Sequence, residues 1–562
     1  MKLALAAIAA VTAVYAWLAF IALAPDAVYS GDFGVKFVQA RELWNHQFTS
    51  LAIEPRNTFL DFDGRFSPLR APFVFKTPVG TQAIFPPAAA VLQGMFVPMG
   101  GLLGMRLLSL LSCALTLWAT WRLSPRGWGA ALPIVIGLST PLWFYAVIES
   151  EHAPAVALAA VAFAIALSGR LASNDGRFAN RPYWRPLAAG LALGAAAAIR
   201  DESILLIPGL LLACWSRDRS WRAAAFALGG CVLTLSVAAA VEVWWFSRPM
   251  AAHLRHAVHI LRVALRLTSR PNQELPELHP LSLRERWDYV GQYWTFGTGS
   301  DTLIIGLAMV VGIGLAARAY FKSAWPLIPM LAVLLAVAAF DVYQLLLAPK
   351  WVPGLYRLSP FLVFALIAPP PETMDRWLWR ISLFSLVTYL VIAFAGVDTS
   401  GGKSLGPRLL LPLLPLLVAA AWRTIDDFRR APRQPDRIAG AFGLALAALA
   451  LVIHTGASIP AYIVRSNEDA SAMRVIRNSP ERVIVSDDMY TAQQMLHMYY
   501  NRVILLAETP PAGHEIGANL DLQRISSVML VSRRPDAPIT LPPLRLAEEV
   551  QQGRFRIQYW RR

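Results

Sequence analysis

Apolar runs of about 18–22 residues recur along most of the chain, separated by short polar turns, and this is the length at which a helix crosses a bilayer. Lipid offers no partner to backbone N–H and C=O groups, so each run must be helical. Spans are expected at roughly 4–24, 103–121, 128–147, 153–170, 187–199, 203–216, 222–245, 302–320, 325–346, 358–369, 378–396, 407–422 and 438–458, about thirteen in all. Residues 81–100 form one more apolar stretch able to enter the membrane. The first run is longer than a signal-peptide core and has no small-residue cleavage site before its first acid, so it reads as a retained span. After residue 458 the period changes. "ERVIVSDD", "NRVILLAE" and "SVMLVSRR" read as short buried strands, "MYTAQQMLHMYY" as a helix, and "LRLAEEVQQGRFRIQYWRR" as a hairpin turning at Gly553. The expected architecture is a polytopic α-helical membrane domain over 1–458 and a small α/β accessory domain over 459–562.

Composition agrees with that pattern. The chain has 562 residues, of which 56% are hydrophobic and 15% charged, too apolar for a large soluble protein. The net charge of +15 does not indicate nucleic-acid binding, because the placement of the basic residues follows the membrane. Arg122 and Arg126 fall on one side with Arg170, Arg177, Arg181 and Arg185. By alternation the same side receives Arg217 and Arg222, then Arg318 and Lys322, then Arg376 and Arg380, and then Arg423 through Arg437. By the positive-inside rule this side is cytoplasmic, with the N-terminus, and an odd span count puts the C-terminal region outside a bacterial plasma membrane. Cys113, Cys214 and Cys231 lie in apolar runs and read as buried hydrophobes without a disulfide.

The outer face collects the unusual residues: two long loops, 25–102 and 246–301, and three short turns. In "YSGDFGVKFVQARELW" an acid, Asp32, stands between Gly31 and Gly34 just past the first span. It reads either as the cap of an amphipathic interfacial helix or as a general base at the membrane surface. "TPLWFYAVIESEHAP" carries Glu149, Glu151 and His152 in an otherwise apolar hairpin, which argues for an enclosed polar pocket. Arg200, Asp201 and Glu202 cap the next outer turn, as an internal ion pair or as ligand-binding groups. "DTSGGKSLGPR" supplies Lys403 and Arg408, two cations on a glycine-rich turn that suit a phosphate. "HLRHAVHILRVALRL", with Arg255 and His256, reads as a basic amphipathic helix facing anionic lipid heads, and lacks zinc-site spacing.

The acid after the first span, "FPPAAAVLQGMFVPMGGLLGMRLLSLL", "TPLWFYAVIESEHA", "GAAAAIRDESILLIPGLLL" and "GPRLLLPLLPLL", in that order, resemble the GT-C superfamily of integral-membrane glycosyltransferases. The likeness is to the bacterial branch related to protein mannosyltransferases and aminoarabinose transferases, and it covers residues 1 to about 425. It implies a polyprenyl-phosphate-linked sugar donor, a glycan, lipid or protein acceptor, no cofactor or metal, and Asp32 as catalytic base. Many relatives have two adjacent acids there; this chain has only one. Glu149, Glu151 and His152 are the further catalytic candidates. Lys403, Arg408, Arg200, Arg255 and His256 are candidates for holding the donor phosphate. Two other classes compete: a polymerase or ligase of lipid-linked glycans using the Arg/His-rich loop 248–270, and a transporter or flippase of lipid-linked sugars. A transporter would place its functional charges inside spans, whereas here they cluster at outer ends.

Overall fold

The computed structural model describes the chain except residues 26–27, 57, 72, 124–127, 168–182, 219, 249–309, 316, 319, 348–353, 371–375, 395–407 and 535–538. Most described residues are helical. Five helical segments among them are long and apolar enough to cross a membrane: Lys2–Ala22, Leu102–Leu123, Trp221–Trp245, Arg408–Arg430 and Gln434–Asn478. Shorter apolar helices include His152–Leu167, Trp184–Ile199, Leu327–Phe340 and Trp377–Leu390. Small residues let neighbouring helices approach closely. A Cβ added at Gly190 would lie 1.9 Å from the Ala227 carbonyl oxygen, so Trp184–Ile199 and Trp221–Ala240 are in backbone contact.

Several expected spans differ from single α-helices: 358–369 holds the 3-10 turn Pro360–Ala365, 407–422 begins as the 3-10 turn Arg408–Leu413, and two more are broken. The stretch 128–147 divides into helices Leu132–Leu138 and Leu142–Val147. Pro141 has no N–H to continue the ladder and disfavours helical geometry at Thr140. The Thr140 hydroxyl donates to the Ile136 carbonyl at 2.5 Å and accepts from the Leu142 N–H at 3.3 Å, covering groups freed by the break. The stretch 203–216 starts as a 3-10 turn, Asp201–Leu206, before the helix Ile207–Asp218.

Helix α1 (Lys2–Trp17) continues into a π-turn, Leu18–Ala22, and α2 (Gly31–Asn45) is the next helix. A hairpin follows, β1 (Val74–Thr77) and β2 (Gly80–Ala83), then α3 (Pro87–Phe96) and α4 (Leu102–Leu123). The interfacial reading of α2 does not hold: 12 of its 15 residues are buried, among them Lys36, Gln39 and Glu42. The helix is wedged between α3 and the C-terminal region, so protein rather than lipid heads surrounds its polar side chains.

The last apolar helix does not stop at the membrane. Gln434–Asn478 is one continuous helical segment of 45 residues. At 1.5 Å per residue it is about 68 Å long, roughly twice the ~30 Å hydrocarbon core, and its second half enters the C-terminal region. There a five-stranded sheet has the order β4-β3-β5-β7-β6. The strands are β3 (Val483–Ser486), β4 (Val503–Leu506), β5 (Ser527–Ser532), β6 (Arg545–Gln552) and β7 (Phe555–Arg561). Strands β3, β4 and β5 run parallel, and β7 runs antiparallel to β5 and β6. All four residues of β3 are buried, which is why it reads as a continuous apolar run rather than an alternating one. The β6–β7 hairpin turns at Gly553, whose φ of +58° is a glycine conformation.

Candidate active site

Asp32 is the second residue of α2, after Ser30 at the N-cap position, so it sits inside the first turn rather than capping the helix. A carboxylate there is favoured by the helix dipole. Its side chain faces three partners. The Ser30 hydroxyl donates to Oδ1. The Lys36 ammonium, one turn on, lies 3.1 Å from Oδ2. The Arg408 guanidinium lies 3.4 Å from the same oxygen. Arg408 opens the apolar segment Arg408–Arg430, so a cation at the mouth of one span meets a carboxylate just past the mouth of another.

Lys36 links this group to a second one. Its Nζ is 2.8 Å from Glu151 Oε1 and lies over the rings of Phe33 and Phe85 at 4.8 and 4.5 Å. Glu151 also receives the Arg200 guanidinium at 3.1 Å, and Arg200 is 2.9 Å from Glu202. Three acids (Asp32, Glu151 and Glu202) thus alternate with three cations (Lys36, Arg200 and Arg408) in one buried chain. Burial alone would raise the Asp32 carboxyl, but Lys36 and Arg408, with the Ser30 hydrogen bond, outweigh it and hold it at about 2. Burial is likewise outweighed at Glu151 by Lys36 and Arg200, which hold it at about 2. Both acids are ionised at neutral pH. Arg408, with a side chain 26% exposed against 3% for Lys36, is the member of the network most open to an incoming ligand.

His152 starts the next helix against this chain, with Nδ1 3.6 Å from Glu202 and Nε2 3.8 Å from Glu151, both beyond hydrogen-bond length. Glu149 takes a different partner: Arg106, near the start of α4, donates from Nε to Glu149 Oε1 at 2.6 Å and from its terminal nitrogen to the carbonyls of Ala19 and Ala24. The fold therefore brings Asp32, Glu151, His152, Arg200 and Arg408 together and pairs Glu149 separately. Lys403, Arg255 and His256 lie outside the described residues. Arg248, at the start of the basic loop, is buried against Glu242 at 3.3 Å and donates to the carbonyls of Ala83 and Phe85, so it anchors the hairpin.

Sequence reading left out Lys36 and Arg106 as site residues. Arg106 carries a signal, since it is the one charge within the apolar stretch 102–121, and such a charge needs a partner. Lys36 carries only the i,i+4 spacing from Asp32. Elsewhere among the described residues, Glu42, His46 and Glu54 have ligand atoms within 4.8 Å of one another, a donor set able to hold a divalent metal. His46 Nε2 is 3.3 Å from Glu54 and 4.0 Å from Glu42, and Arg56 is 3.9 Å from Glu42.

No family model matches the chain, and no curated protein matches it. Solved structures similar to it include ArnT from Cupriavidus metallidurans bound to undecaprenyl phosphate, at 14% identity, over 98% of this chain and 97% of that one, with a TM-score of 0.46. The apo state of ArnT gives 14% identity and a TM-score of 0.47 over the same shares. The apo Archaeoglobus fulgidus oligosaccharyltransferase gives 11% identity over 94% of this chain and 69% of that one, with a TM-score of 0.40. At identities of 11–14% and TM-scores of 0.40–0.47 these likenesses add no argument to the resemblance that the motifs carry. Likeness of fold carries neither a reaction nor a substrate to this chain; those are argued from the site.

Proposed function

We propose that the protein transfers a sugar from a polyprenyl-phosphate carrier to an acceptor hydroxyl at the outer face of a bacterial plasma membrane, with inversion at the anomeric carbon and Asp32 as general base. The observation that carries this reading is the contact of Asp32 with Arg408 where two apolar segments meet the same polar layer. A lipid-borne donor keeps its tail in the bilayer, so its phosphate and anomeric carbon arrive at that height. The acceptor oxygen attacks the anomeric carbon, the bond from that carbon to the phosphate oxygen breaks, the acceptor proton passes to Asp32, and the carrier leaves as its phosphate. Cations beside the leaving phosphate stabilise the charge it gains.

A carboxyl held at about 2 is a weak base in the resting protein. Donor binding supplies the remedy. A phosphate drawn to Arg408 neutralises one of the two cations that hold Asp32 down, so the carboxylate becomes more basic once the donor is seated. Lys36 stays shared with Glu151 and keeps the carboxylate in place. Glu151 and Glu202 hold Lys36 and Arg200 in position, and His152 lines the same wall.

The test compares surface glycans and lipids by mass spectrometry in cells with the gene, without it, and with Asp32→Asn. The gene should add a sugar-sized mass to one envelope component. Asp32→Asn keeps the shape of the side chain, and Lys36 keeps Glu151, yet the amide cannot take a proton. Its transfer rate should drop by roughly two to four orders of magnitude. Normal transfer by a folded Asn protein would put the base elsewhere, with Glu151 next in line.

A further inference from the structure

We infer that Gln494, carried by the C-terminal region, is a positioning residue for Asp32; the inference rests on the reading of Asp32 as the base. Val28, Tyr29 and Ser30, just ahead of α2, belong to no helix or strand, so their carbonyls need other partners and their path is not set by a regular backbone ladder. The carbonyls of Val28 and Tyr29, just ahead of the N-cap, both accept from Gln494 Nε2, at 3.0 and 2.9 Å. Gln494 is 4% exposed. Its Oε1 accepts from the guanidinium of Arg533, which follows β5 and lies over the Phe555 ring at 4.5 Å. The amide thus gives N–H to two carbonyls and takes N–H from a cation, so its donor and acceptor ends are both fixed.

The neighbouring residue explains the glycines around the acid. A Cβ at Gly34 would lie 1.9 Å from the Gln493 carbonyl oxygen, and one at Gly31 would lie 2.8 Å from Gln493 Oε1. Gly31 and Gly34 are three apart on one face of α2, and Asp32 and Lys36 are four apart on the adjacent face. The helix Met489–Gln494 therefore lies directly on the flank of α2, and this contact sets the direction in which the carboxylate points. The C-terminal region is the template against which the base is held. Its role follows from the steep dependence of transfer on geometry, since a displacement of about 1 Å costs on the order of a hundredfold in rate.

The experiment uses the full chain in nanodiscs with two variants. Gln494→Met removes donor and acceptor. Gln494→Glu keeps the acceptor for Arg533 but sets a carboxylate against two carbonyls. Binding of undecaprenyl phosphate is read by thermal-shift titration, and transfer is read from the glycan product in cells. Both variants should bind the carrier phosphate within about twofold of wild type, because Arg408 is untouched, and lose transfer by at least about tenfold. Hydrogen exchange should speed up over residues 28–36 and stay unchanged in the strands. Asp32→Asn runs alongside. If it transfers normally, the reading of the base has failed, whatever Gln494 does. If it loses transfer while both Gln494 variants keep the wild-type rate, the positioning role is overturned. Loss of the melting transition in both variants would also overturn it, by making the contact one of folding alone.

Discussion

At the scale of single residues, the site is a set of charges whose values depend on one another. Asp32 and Glu151 both lie below the carboxylate range, at about 2 against ordinary values of 3.8 and 4.5. A depressed acid contributes stability that is fully present above its unfolded value and is lost as pH falls through the folded one. Melting temperature in detergent should therefore hold from pH 7 to about 4.5 and fall from there toward pH 2, and Asp32→Asn with Glu151→Gln should flatten that fall. An unchanged slope in the double variant would show that these two acids contribute nothing to acid stability. Arg408 tests the coupling between donor and base. Removing it raises the Asp32 value, so the acid limb of the transfer profile should move to higher pH in Arg408→Ala, while donor affinity drops by about 1.5–3 kcal/mol, as for a lost charged hydrogen bond. Arg408→Lys should restore the position of the limb better than the affinity, since a point charge replaces a planar fork. Wild-type donor use and an unmoved limb in Arg408→Ala would leave Arg408 as an interfacial cation with its stem in lipid.

At the scale of elements, α2 shows what a sequence pattern carries and what it leaves out. "YSGDFGVKFVQARELW" reads as a helix, and the helix is there, but its mix of polar and apolar residues suggests an amphipathic helix along the membrane interface. The helix is buried because a partner more than 400 positions along the chain covers it, and periodicity carries no trace of a partner that distant. The glycines were the legible sign. Two glycines three apart within a helix cost stability unless something approaches closely. Gly34→Ala should accordingly lower the melting temperature and destabilise by about 1–3 kcal/mol through overpacking, although Ala ordinarily gains about 1 kcal/mol over Gly in a helix. Gly229→Ala is the control, because a Cβ there meets nothing within 4 Å, and its melting temperature should stay level or rise. Equal effects at the two positions would remove the close approach at Gly34 as their cause.

At the scale of the molecule, the strands of the C-terminal region were legible because buried parallel strands are short runs of Val, Ile and Leu between turn residues. The expected single span 128–147 missed the break at Pro141, although the proline itself carries that signal. The network around Lys36 was not legible, since it joins four stretches far apart in sequence, and single-sequence reasoning sees charges at turns without seeing which turns meet. The contacts of Gln494 with Val28 and Tyr29 bear on topology as well. They tie the C-terminal region to the segment that follows the first apolar helix, which fits the expected topology, in which both lie on one side of the membrane with an even number of crossings between them. In that topology the first span crosses once and the N-terminus is expected on the opposite side. The positive-inside expectation gives the sides: the arginine-rich loops are expected on the N-terminal side, in the cytoplasm. An alkaline phosphatase fused after Arg562 should therefore be active in the periplasm, while a fluorescent protein that folds only in the cytoplasm should stay dark there. The same pair fused ahead of Met1 should give the reverse. A bright C-terminal fluorescent fusion would put Asp32 in the cytoplasm with it, where a donor displayed on the outer leaflet never arrives, and the proposed reaction would fall with the topology.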